Sequence, residues 1–101
     1  MTKVEYELRE NDFFFKAKGH AKNSNDCAYI SSLIISFVNF VEFFFFDIFN
    51  NEEKSLFSIK SGDVIMWINF EGKKELETII VYLIHSLETL AEQKPSSLSI
   101  R

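Results

Sequence analysis

The stretch CAYISSLIISFVNFVEFFFFDIF, Cys27 to Phe49, is long enough and apolar enough to cross a bilayer, and it contains four consecutive phenylalanines. Its polar residues decide the reading. Asn39 and Glu42 fall near the middle, and an acidic side chain at a membrane centre costs about 3 kcal/mol. Ser32, Ser36, Asn39 and Glu42 recur at spacings of three or four, which places them in one stripe along a helix. A wide apolar arc with a narrow wet edge describes a helix buried in a soluble domain. A membrane-associated subunit is the competing reading, and it rests on this segment alone.

On the N-terminal side the period changes. Lys3 to Arg9 places Val4, Tyr6 and Leu8 on one side and Lys3, Glu5, Glu7 and Arg9 on the other, the alternation of a half-buried strand. Glu10-Asn11-Asp12 supplies a turn, and Phe13 to Lys18 returns as the second strand of a hairpin. A loop from Gly19 to Asp26 leads into the helix, which Asn50-Asn51 end. Ser55 to Lys60 and Val64 to Phe70 then flank Ser61-Gly62-Asp63, a second hairpin. Beyond Gly72, Leu76, Ile79, Ile80, Leu83, Leu87, Leu90 and Ala91 share one helical face, Pro95 stops that helix, and Leu98 to Arg101 can add a short strand. The order ββαββαβ predicts a two-layer α+β domain, a mostly antiparallel sheet with two helices packed on one face. With 101 residues the chain makes a single domain spanning 1–101.

Composition narrows the partners. A formal charge of -4 is the wrong sign for nucleic acid or an anionic membrane surface. The N-terminal decapeptide mixes charge with apolar residues and does not read as a signal peptide. A single cysteine cannot form an internal disulfide, which fits a reducing cytoplasm. One cysteine and two distant histidines offer no metal-ligand spacing, and no cofactor is expected. His85 lies off the leucine stripe and reads as a solvated surface residue.

The chemistry-bearing residues cluster at the first strand-to-helix passage. Asn23, Ser24, Asn25 and Asp26 are all good N-cap types. If Asp26 caps the helix, Cys27 is its first residue, where the dipole and free amides favour a thiolate. The amides of Cys27 and Ala28 would then face an oxyanion formed by attack on a carbonyl. Ser31, one turn on, could add a hydrogen bond, and His20, behind Gly19, could fold back toward the sulfur as a base. An inert packed cysteine beside a turn histidine is the plain alternative.

The letters Gly19-His20-Ala21, then Cys27-Ala28-Tyr29-Ile30-Ser31 opening a long apolar helix, resemble the ribosomal-processing cysteine protease family (Prp). That resemblance implies a small α+β homodimer that removes a short N-terminal extension from ribosomal large-subunit protein number twenty-seven. It would match His20 to the family's histidine, Cys27 to its nucleophile and Ser31 to the serine one turn later. Gly19 and Asp26 would support them. Ser24 stands where many members have an aspartate, so Asp26 is left either orienting His20 or capping the helix. The contrasting function is a non-catalytic dimeric module that binds a protein partner in ribosome assembly.

Overall fold

In the computed structural model, which describes residues 1–101, the chain forms β1 (Thr2–Leu8), β2 (Asp12–Lys18), α1 (Ser24–Phe44), α2 (Phe46–Phe49), β3 (Ser55–Lys60), β4 (Asp63–Asn69), α3 (Lys74–Gln93) and β5 (Leu98–Ile100). The strands make one five-stranded sheet in the order β3-β4-β2-β1-β5. Every pairing is antiparallel except β1 with β5. The architecture is the α+β arrangement expected from the hydrophobic periods.

Alternation along the strands fixes which face is covered. Val4, Phe13, Phe15, Ala17, Val64, Met66 and Ile68 are buried, while their neighbours Glu5, Phe14, Lys16 and Ile65 point the other way and are exposed. The buried face meets Ile30, Ile34, Phe37 and Val41 of α1 and the stripe Leu76, Ile80, Leu83, Ile84, Leu87 and Leu90 of α3. Phe13 is fully buried, with its ring 6.3 Å from that of Phe37 at an edge-on 74°. Burying one such side chain stabilises the fold by about 2–3 kcal/mol. The opposite sheet face carries no layer.

The long apolar segment is interrupted. The continuous helix expected through Phe49 stops at Phe44, and Phe45 (φ -129°, ψ 48°) leaves the helical region before α2 resumes for four residues. The break lets Ile48 turn into the core, while Phe43, Phe44 and Phe46 remain in solvent, Phe43 at 79 % exposure. By length and composition α1 alone still suffices to cross a membrane. Here one of its faces packs against the sheet.

Candidate active site

The site is assembled where β2 ends and α1 begins, beside the turn of the β3–β4 hairpin. Two strand ends are first tied together, because the Gly19 amide donates to the Gly62 carbonyl at 2.9 Å. Gly19 has a φ of +95°, and a β-carbon there would collide with the Met1 carbonyl oxygen, so this position takes glycine on both conformational and packing grounds. The chain then reverses through His20 to Asn23.

Helix α1 starts earlier than the Asp26 cap implied. Asn23 is the N-cap, with φ -100° and ψ 133°, and its side-chain oxygen accepts from the Asn25 amide at 2.7 Å. Cys27 is therefore the fourth helical residue, and its amide donates to the Asn23 carbonyl at 3.0 Å. This overturns the oxyanion site expected from the Cys27 and Ala28 amides. The Cys27 amide is spent in the helix ladder, and Ala28 lies deeper still, beyond the orphan donors of the first turn.

Asp26 is likewise neither the cap nor a partner of His20. Its Oδ2 accepts from the Ser97 hydroxyl at 2.6 Å, which fastens the first turn of α1 to the segment leading into β5. The short distance is that of a charge-assisted bond. Ser97 is buried, so this contact is shielded at its donor end.

His20 and Cys27 do meet. Cys27 Sγ lies 3.8 Å from His20 Nδ1, with the thiol partly buried and the histidine exposed. The other edge of the imidazole rests on Gly62. A β-carbon at Gly62 would stand 2.5 Å from Nε2 and 2.9 Å from Cε1, so any side chain there would displace the ring from this position. Gly62 reads from sequence as no more than a hairpin turn. Its role beneath His20 arises from a contact between distant segments, for which one chain offers no signal.

The pair opens into a cleft of about 320 Å³ between α1 and the β3–β4 hairpin. Ile30, Ile34 and Ile35 supply one wall and Ile59 and Val64 the other. Ser31 lies on the rim, with its hydroxyl on the same helix face as the thiol. Lys60 and Asp63 bring opposite charges to the hairpin end, and Asp63 Oδ1 is buried without a hydrogen-bond partner. His85 is exposed on α3 and does not line this cleft. A thiol within reach of an imidazole, at the end of an apolar trough, has the parts for nucleophilic attack on an extended acyl substrate.

No protein-family model and no curated protein matches the chain by sequence. Solved structures match it in shape over its whole length. The essential ribosomal processing protease Prp from S. aureus, in complex with a substrate peptide, superposes with a TM-score of 0.76 at 16% identity, covering 100% of this chain and 98% of that one. The same protease with a covalently linked product peptide gives 0.73 at 19% identity, with the same coverage. The protein SMU.848 from Streptococcus mutans gives 0.72 at 16% identity, covering 100% of this chain and 92% of that one. The hairpin–helix–hairpin–helix order, read first from hydrophobic periods, is thus the fold of the ribosomal processing protease Prp.

Proposed function

We propose that the chain is a cytoplasmic cysteine endopeptidase that trims an N-terminal extension from a ribosomal large-subunit protein. The observation that carries this reading is the 3.8 Å approach of Cys27 Sγ to His20 Nδ1 at the end of an apolar cleft. The Prp-like fold supports it, since the S. aureus protein holds peptides on the same architecture.

In this mechanism His20 Nδ1 takes the thiol proton as Cys27 Sγ attacks the scissile carbonyl carbon. The carbonyl electrons move onto oxygen. With the Cys27 amide committed to Asn23, the side-chain donor offered to that oxyanion is the Ser31 hydroxyl. Collapse of the tetrahedral adduct breaks the C–N bond, and protonated His20 gives its proton to the leaving amine. Water then adds to the thioester, with His20 again as base, releasing the carboxylic acid and restoring the thiol. The chain works as a homodimer in this reading, its exposed Phe43, Phe44 and Phe46 forming an apolar patch of the kind that pairing covers.

The test is cleavage of the N-terminal extension peptide of ribosomal large-subunit protein number twenty-seven from the same genome. Wild type should cut it once, and Cys27→Ala should be inactive with unchanged thermal unfolding. Cleavage that survives Cys27→Ala would end the cysteine mechanism. A host ribosomal protein without such an extension would instead favour the protein-binding module.

A further inference from the structure

The cleft adjoins a free sheet edge, and the register of that edge states what it can bind. Strand β3 is terminal in the sheet. It pairs with β4 as Lys60↔Asp63, Ile59↔Val64, Ser58↔Ile65, Phe57↔Met66 and Leu56↔Trp67. At the far end the Asn69 amide donates to the Lys54 carbonyl at 2.7 Å, which marks Lys54 and Asn69 as a hydrogen-bonded pair. Such pairs recur at every second residue of an antiparallel ladder. Leu56, Ser58 and Lys60 therefore spend their backbone groups on β4. Ser55, Phe57 and Ile59 turn theirs outward, as the Ser55 amide shows by donating to the Asn51 carbonyl at 3.0 Å.

Half of this edge is already covered. The Ser55 hydroxyl donates to the Ile48 carbonyl at 2.7 Å, and the Phe57 ring packs on Phe49 with centroids 4.8 Å apart, so α2 closes the start of β3. The open half runs from Phe57 to Lys60, a length of about 13 Å at strand rise. It ends at the cleft, which Ile59 and Lys60 line together with Ile34 and Ile35 of α1. Side chains of Phe57 and Ile59 lie opposite the buried Met66 and Val64, on the helix side of the sheet.

We infer that the substrate docks as an added strand on the open half of β3. The outward amide and carbonyl of Ile59, with those of Phe57, hydrogen-bond an extended peptide whose scissile bond is delivered to Cys27. Alternate residues of that peptide enter the trough formed by Ile34, Ile35 and Ile59, which takes apolar side chains. The residues between them pass the open sheet face beside Ser58 and Lys60, where polar groups are tolerated. Main-chain pairing supplies affinity and alternate pockets supply selection. This inference rests on the proteolytic reading, but it concerns binding and can fail separately.

The test is an N-methyl scan of the same extension peptide, labelled with fluorescein and titrated into Cys27→Ala protein by anisotropy. Methylation removes one backbone donor at a time. The expected result is a weakening of about fivefold at alternate amides within the docked segment and no change at those between. A second measurement compares Ile59→Pro with Ile59→Ala. Both lose the side chain, but proline also removes the outward amide while leaving the β3–β4 ladder whole, and should bind about fivefold more weakly than alanine. If Ile59→Pro fails to fold, the peptide scan still decides. A flat scan, or no binding at all, overturns strand addition even if wild type cleaves the peptide. An alternating scan on a peptide that wild type leaves intact sustains strand addition and sinks the protease reading.

Discussion

Replacing Gly62 with alanine should separate the geometry of the site from the stability of the fold. Gly62 has a φ of +74°, and holding alanine in that region costs about 1–2 kcal/mol. For a domain of this size each such kcal/mol lowers Tm by about 4–8 °C. The added methyl also meets His20 Nε2 at 2.5 Å. Restoring an ordinary contact of about 3.5 Å requires the imidazole to move by about 1 Å. His20 is exposed and free to swing, so the ring moves at little further cost to folding. The imidazole meets Gly62 at Nε2 and Cys27 at Nδ1, so that movement changes the 3.8 Å approach to the sulfur. A misplacement of this size costs about 100-fold in rate. Gly72→Ala is the matched control, because its φ of +82° imposes the same backbone cost while nothing lies within 4 Å of the new methyl. Thermal unfolding and kcat/KM on the extension peptide should show two proteins of similar Tm, with only Gly62→Ala impaired. Equal rates for the two folded variants would refute the placement of Gly62 beneath His20.

Asp26→Asn should lower Tm while leaving kcat within about twofold, because the carboxylate bonds Ser97 rather than His20, and one charge-assisted bond is worth about 1.5–3 kcal/mol. A rate loss near that of His20→Ala would return Asp26 to the site. Asn23→Ala should destabilise by about 1 kcal/mol in urea unfolding through loss of the cap; an unchanged midpoint would place the cap elsewhere. Phe44→Glu should leave the monomer folded, since Phe44 is 62 % exposed, and should yield a monomer in sedimentation where wild type is a dimer. A wild-type monomer at micromolar concentration would remove the dimer from the proposal.

The strands and α3 were legible because each carries a single period with one face buried: Val4, Tyr6 and Leu8 alternate, and Leu76, Ile80, Leu83 and Leu87 recur by helical turns. The start of α1 was not, because four adjacent residues can all cap a helix and only tertiary placement chooses among them. Moving the cap from Asp26 to Asn23 shifted Cys27 from the first helical position to the fourth and withdrew its amide from the site. The break at Phe45 has no glycine or proline to announce it; burial of Ile48 against the sheet sets it. The proximity of His20 and Cys27 was suggested by a short polar loop. The glycine that seats the imidazole, and the free half of β3, became visible only with strand order and register in hand.

The bond between Asp26 and Ser97 has a consequence for timing during synthesis. Ser97 and β5 are translated after every other element of the domain, and β5 completes the sheet by pairing with β1. At about 5–20 residues per second, several seconds separate the emergence of Cys27 from that of the segment that secures its helix. Until then the first turn of α1 lacks its tether and Thr2 its partner strand. In a domain arranged in this way, the segment that completes the sheet is also the one that fastens the helix carrying Cys27.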